Sequence, residues 1–312
     1  MHYYCIELLR CIAAILITNS HYNNIWPIGA LATGGSLGNT LFFAISGFCL
    51  SDTKKTNFPI WIRKRFLRIY PPVAIVTFVE FVIVDNKIKS VADFIRYFIY
   101  PTQFWFASAI ILFYVLFYFI TRYADNYINK IIGVMLIVYM FAYITVLDIN
   151  HWSIEGTSYF KWIYYFIIML LGYKLKTYKI STFKRIFEIE LLLSVVFYFG
   201  FKLILDVFPG LLCIQFCSHI ISGWFMIEAF RVGFMYESKI KEFSKLKYYK
   251  VISFISSLTF EIYLVQTFVI RRFEMLRFPI NFMVTTIMIC VEAFLLSKVI
   301  QCLKNLRIKK WR

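Results

Sequence analysis

Residues 5–25, CIELLRCIAAILITNSHYNNI, are the first apolar stretch of the chain, and their reading decides its class. The stretch has the length a helix needs to cross a hydrocarbon core, about 20 residues. It nevertheless holds Arg10 and His21, eleven positions apart. On a helix, eleven steps of about 100° make three turns and about 20°, so both side chains are expected on one face, about 16 Å apart along the axis. Ionisable groups in a membrane helix are costly and mark a polar path through the protein interior. The local alternatives are an ion pair of Arg10 with Glu7, three residues earlier on the same face, and an interfacial His21 bonded to a neighbouring helix.

The rest of the chain agrees with a membrane class. Its 312 residues are 61% hydrophobic, 21% aromatic and only 16% charged, whereas a soluble domain carries about 25% charged residues. Apolar runs recur from end to end, and nothing between them suffices for a soluble domain. One all-α membrane domain over residues 1–312 is expected, a bundle of about ten transmembrane helices. The runs lie near 5–25, 37–52, 70–86, 101–121, 131–149, 159–176, 187–207, 211–233, 251–270 and 279–301. The N-terminus lacks a basic n-region and a small-residue cleavage site, so the first run is expected to persist as a helix.

The net charge of +17 is not a nucleic-acid signature, because Lys and Arg fall in short loops between apolar runs. Lys54, Lys55, Arg63, Lys64, Arg65 and Arg68 form one group; Lys174, Lys176, Lys179, Lys184 and Arg185 a second; Lys239, Lys241, Lys245, Lys247 and Lys250 a third. With Lys304, Arg307, Lys309, Lys310 and Arg312 they predict cytoplasmic N- and C-termini by the positive-inside rule. Trp26, Trp105, Trp152 and Trp162 fall near expected outer ends, as an aromatic belt would. Cys213 and Cys217 share a helix face but read as buried thiols rather than metal ligands, and no metal site is expected.

Four further segments carry candidate chemistry. In WIRKRFLRIYPP, 61–72, Arg65 and Arg68 are three apart and share a helix face. Arginine forks bind phosphate oxygens in a bidentate way; anchoring to anionic lipid would explain the charge equally well. In NTLFFAISGFCLS, 39–51, the Ser46-Gly47 pair permits close helix packing. In LTFEIYLVQ, 258–266, Glu261 lies within an apolar run and is a candidate partner for Arg or His. Glu80, Glu228, Glu292 and His219 are weaker candidates of the same kind. Glu188 and Glu190 read as surface ion pairs, and Asp148, His151 and Glu155 as solvated outer-loop groups within reach of sugars.

Together these segments resemble the acyltransferase 3 family of integral membrane O-acyltransferases, in its stand-alone form, over nearly the whole chain. Arg10 and His21 match the family's first-helix Arg and His, and FFAISGFCLS is similar to its FFxISGFLLS. RKRFLRIYPP is similar to its Arg-x-x-Arg segment, through Arg65 and Arg68. FWFASAIILFY is similar to its aromatic fourth-helix segment, through Trp105 and Tyr114, and LTFEIYLVQ to its late YxIYLxH. There the family histidine is replaced by Gln266, which can hydrogen-bond but cannot titrate.

The resemblance implies transfer of an acyl group, usually acetyl, to a hydroxyl of a cell-envelope glycan or glycolipid. The donor would be acetyl-CoA or another acyl-CoA, with no permanently bound cofactor. His21 would act as base or transient acyl carrier and Arg10 would stabilise charge, with Glu261 orienting His21 or binding sugar. Arg65, Arg68 and Lys64 would hold the donor's phosphates, and Ser46, Trp105, Tyr114 and Gln266 would line the substrate path. The partners implied are acyl-CoA, the glycan acceptor and the lipid bilayer, with no nucleic acid; the place is a bacterial inner membrane. The rival reading is a transporter or flippase of a lipid-linked saccharide, which would move substrate without acylating it. A non-catalytic scaffold, the third reading, would tolerate loss of Arg10 and His21.

Overall fold

The computed structural model describes residues 2–309 except 51–52, 100, 102, 147, 149–152, 157–158 and 178–184. His151, Trp152, Ser51, Lys179, Lys184, Lys310 and Arg312 lie outside the described residues, as do the side chains of Arg307 and Lys309. Among the described residues there is no strand. A lipid-facing backbone can satisfy its own N–H and C=O groups only as a helix or a closed barrel, and the helical solution is the one adopted.

The helices run α1 Tyr4–Asn19, α2 Gly35–Cys49, α3 Phe58–Thr77, α4 Val91–Phe94 and α5 Trp105–Tyr123. They continue α6 Ile128–Thr145, α7 Phe160–Thr177, α8 Ile186–Val207, α9 Cys217–Met235 and α10 Glu237–Phe243. The last three are α11 Tyr249–Ser257, α12 Thr259–Phe273 and α13 Ile280–Lys309. Two π-helical segments, Phe78–Val84 and Ile95–Ile99, extend α3 and α4.

A helix lies on each apolar run, but not all are membrane-crossing by length and hydropathy alone. Four pass that test: Phe58–Val84, Trp105–Tyr123, Asp125–Thr145 and Ile280–Asn305; α11 with α12 makes a fifth if the broken pair is one span. The expectation of about ten spans is thus met only in part. α1 and α2 are too short, and α8 carries Glu188, Glu190, Lys202 and Asp206. The run 251–270 is interrupted at Leu258, next to the serine pair Ser256-Ser257, where Ser257 Oγ turns back onto the Phe254 carbonyl. On α6, Val134, Ile137, Phe141 and Ile144 are exposed along one face, the stripe that a lipid-facing helix presents.

The chain divides into two compact units. The first comprises 1–20, 30–52 and 120–257. In it α2 packs between α1, α7 and α9, while α8 packs on α9 and α6 on α7. The α2–α7 crossing is close: a Cβ on Gly47 would sit 1.9 Å from the Met169 carbonyl oxygen, and one on Gly172 would sit 2.0 Å from that of Ala44. Phe43 stacks on Tyr165 beside this crossing, ring centroids 5.0 Å apart.

The second unit comprises 21–29, 53–119 and 258–312. Here α3 packs on α12 and α13, which also pack on each other. α3 begins with Pro59 in its first turn, where a missing N–H costs nothing. It continues through Pro71 and Pro72. The basic segment is therefore helical and continuous with the apolar span that follows it.

Candidate functional site

Arg10 lies on α1 in the first unit. The N-terminus of α1 is capped from a distance, with the backbone N–H groups of Tyr4 and Cys5 donating to Glu237 at 2.8 and 2.7 Å. Glu7, the expected partner of Arg10, is engaged elsewhere. It accepts from Tyr249 Oη at 2.9 Å and Ser253 Oγ at 2.6 Å, both on α11, and His2 lies 3.6 Å away. Arg10 instead donates from Nη2 to Cys49 Sγ at 3.1 Å. The ion-pair alternative for Arg10 fails because α11 supplies two hydroxyl donors to Glu7. Ser46 turns its hydroxyl to the Phe42 carbonyl of its own helix at 2.9 Å.

His21 does not continue the helix. α1 stops at Asn19, whose amide donates to the carbonyls of Leu31 and Thr33 at 2.8 and 3.0 Å; Ser20 Oγ donates to the Ile17 carbonyl. The expected 5–25 helix, and with it the shared helix face of Arg10 and His21, ends two residues short of the histidine. His21 is exposed in a turn assigned to the second unit. The segment after it is well fastened there. Tyr22 Oη bonds Thr286 Oγ1 at 3.0 Å, and Asn24 Nδ2 donates to Glu274 at 2.7 Å. Asn281 Nδ2 donates to the Ile25 carbonyl at 2.9 Å, and Trp26 packs on Phe278 and Phe282.

Most other candidates also belong to the second unit. On α3, Lys64 and Arg68 are exposed and Arg65 is half-buried over the Trp61 ring, 4.5 Å from its centroid. Tyr114 meets the same ring edge-on at 5.9 Å, so Trp61 joins two candidates, Arg65 and Tyr114. Glu261 opens α12, which packs on α3, the helix of Arg68. Trp105 is half-buried at the start of α5, and Gln266 is fully buried on α12. Ser46 and Arg10 belong to the first unit, and His21, Lys64, Arg65, Arg68, Trp105, Tyr114, Glu261 and Gln266 to the second.

Two polar clusters were not legible as such in the sequence. In the first unit His219, 2% exposed, lies between Glu155 and Tyr139. Its Nε2 is 2.7 Å from Glu155 Oε1 and its Nδ1 2.7 Å from Tyr139 Oη. A carboxylate can only accept, so Nε2 carries the proton toward Glu155. The Tyr164 ring lies parallel to the imidazole at 3.9 Å, and Tyr165 Oη donates to both Glu155 oxygens at 3.0 Å. Burial pushes the Glu155 carboxyl up, but the His219 hydrogen bond and the charges of His219 and Lys161 outweigh it and hold it at about 2. Glu155 is therefore not the solvated loop group expected of it. His219 was visible as an ionisable residue in an apolar run; its partner, 64 residues away, was not.

In the second unit Arg272 joins Glu80 and Glu292, bonding Glu80 Oε1 from Nη2 and Glu292 Oε1 from Nη1, the latter at 2.7 Å. Arg271 pairs with Asp85 at 3.2 Å. In the first unit Glu228 pairs with Arg231 at 2.8 Å, and Glu188 accepts from Tyr236 Oη.

A family model described as an acyltransferase domain, acyltransferase 3, matches residues 3–301. No curated protein matches the chain, and no solved structure does.

Proposed function

The chain belongs to the acyltransferase 3 family, and from that premise we propose that it is a multi-pass membrane O-acyltransferase. In this reading it moves an acyl group, acetyl in the simplest case, from cytoplasmic acyl-CoA to a hydroxyl of a cell-envelope glycan or glycolipid. The observation that supports the residue assignment is the packing of α3 on α12, the helices that bear Arg68 and Glu261. It brings the helices of two family-like segments together, although Arg68 and Glu261 are almost two hundred positions apart in sequence.

Arg65, Arg68 and Lys64 would hold the donor's phosphates, a task suited to guanidinium forks. His21 is the proposed base, since an imidazole of ordinary pKa about 6.5 titrates near working pH. It would take the proton of the acceptor hydroxyl as the oxygen attacks the thioester carbonyl. The carbon–sulfur bond then breaks, and the CoA thiolate leaves with the proton that His21 returns. A transient acyl-His21 would split the same chemistry into two steps. Arg10, whose charge is not spent on Glu7, would stabilise the carbonyl oxygen as negative charge develops on it.

The test is mass spectrometry of envelope glycans from cells with and without the protein, expecting a fixed mass gain per sugar. His21→Ala should abolish the gain while the protein remains in the membrane. Arg68→Ala should raise the acyl-CoA concentration needed for half-maximal rate about tenfold or more, as loss of a charge-assisted contact does. Wild-type activity in the first variant removes His21 from the mechanism, and unchanged acyl-CoA use in the second reduces the arginines to topology signals.

A further inference from the structure

Residues 239–250, KIKEFSKLKYYK, run from α10 into α11 and interleave lysines with large apolar side chains. Lys239, Lys241, Lys245, Lys247 and Lys250 are all exposed. So are Phe243, Leu246 and Tyr248, at 42, 52 and 79%. On α10, Lys239 and Phe243 are four apart and share a face. The acid within the stretch neutralises little of this charge. Glu242 pairs with Lys245 at 3.5 Å with both side chains at least 72% exposed, and such a pair is weak in water.

The stretch is fastened to the first unit at both of its ends. Glu237, just before it, accepts from the backbone N–H groups of Tyr4 and Cys5 on α1. Tyr249 is buried and donates to Glu7 on α1, and Phe243 packs on the Tyr249 ring at 6.0 Å. α9 ends at Met235 and α10 begins at Glu237, so the lysines cannot move far from the end of α9.

A partner that fits this surface offers negative charge to the lysines and, beside it, an apolar layer to Phe243, Leu246 and Tyr248. An anionic phospholipid leaflet has both, phosphates above and acyl chains below. A soluble nucleotide phosphate satisfies the lysines and leaves the three apolar side chains in water.

We propose that residues 239–250 dock on anionic phospholipid headgroups in the leaflet around the end of α9, with the lysines on the phosphates and Phe243, Leu246 and Tyr248 beneath them. Because the stretch is tied to α1 on both sides, the docked lipid surface also holds the helix that carries Arg10. The docking does not rest on the acyl-transfer reading.

The test attaches a nitroxide at Tyr248→Cys in the full chain, with the exposed Cys49 and Cys302 replaced by serine. The protein is placed in nanodiscs of phosphatidylcholine, with and without phosphatidylglycerol. With phosphatidylglycerol the label should become more accessible to dissolved oxygen than to a water-soluble nickel chelate; in phosphatidylcholine alone that order should reverse. Lys245→Gln, Lys247→Gln and Lys250→Gln together should abolish the gain, each lost lysine weakening the docking about fivefold. High salt should abolish it with the lysines in place, so the result does not depend on how the triple variant folds. A label that stays in water in both bilayers, or is equally immersed in both, overturns the proposal, as does immersion that survives both the substitutions and the salt. Shielding by acetyl-CoA in phosphatidylcholine discs would assign the lysines to the nucleotide and overturn it too. None of these readouts measures acylation, so failure of the enzyme reading leaves them standing.

Discussion

His219 is held on three sides: Glu155 at Nε2, Tyr139 at Nδ1 and the Tyr164 ring against its face. The Glu155 carboxyl gives up its proton more readily in the folded protein. Its ordinary value of 4.5 falls to about 2 in the folded protein, so the folded state holds the proton less tightly than the unfolded chain does. The stabilisation is therefore complete above pH 4.5 and is lost as pH falls from there toward 2. Thermal midpoints in nanodiscs should drop across that interval, and Glu155→Gln should flatten the drop while lowering the midpoint at neutral pH; a wild-type slope retained in the variant would assign the acid sensitivity elsewhere. A parallel contrast separates Glu7 from Arg10. Glu7→Ala strands the Ser253 hydroxyl and leaves Tyr249 only the Tyr4 carbonyl at 3.2 Å, at about 1–3 kcal/mol. Arg10→Ala strands only the Cys49 thiol, so its midpoint should stay near wild type although acyl transfer is lost. Equal destabilisation by the two would restore the ion pair that the sequence suggested. The i,i+3 spacing made Glu7 a sound guess for Arg10, and what it missed was the competition of α11, more than 240 residues away.

The helices themselves were legible, because their apolar length speaks locally, even in α3 with Pro71 and Pro72 inside it; their ends and crossings were not. α1 ends at Asn19 because Asn19 and Ser20 direct their side chains to backbone carbonyls, while the apolar pattern runs on through Tyr22 and Ile25, which are buried in a turn instead. The break at Leu258 is likewise invisible to hydropathy. By contrast the Ser46-Gly47 pair was read for close packing, and α2 does approach α7 there with no room for a Cβ at Gly47 or Gly172. Because both obstacles are backbone carbonyls rather than movable side chains, Gly47→Ala and Gly172→Ala should each destabilise at the upper end of the overpacking range, about 3 kcal/mol. Gly133, whose added Cβ would meet nothing, should accept alanine and gain slightly from helix propensity. If all three substitutions shift the thermal midpoint alike, the close crossing is not a determinant of stability.

At the scale of the whole molecule, composition and the recurrence of apolar runs were enough for an all-helical membrane protein, but not for the number of crossings. Length and hydropathy vouch for four spans, or five with the broken pair. The shorter or more polar helices must be placed by charge. The proposed arrangement, about ten crossings with both termini cytoplasmic, follows from the basic groups at 54–68 and 239–250 facing inward. It requires Lys89, after the π-helical end of the third run, and Glu242, on α10, to face opposite sides. Both positions are exposed and lie outside the candidate spans. Single cysteines there, in a chain whose exposed Cys49 and Cys302 are serine, give a direct reading. Lys89→Cys should react with an impermeant maleimide on intact cells, and Glu242→Cys should react only once the membrane is opened. Should the two label alike, an even number of crossings separates them instead of the five proposed, and the arrangement of ten crossings with both termini cytoplasmic falls.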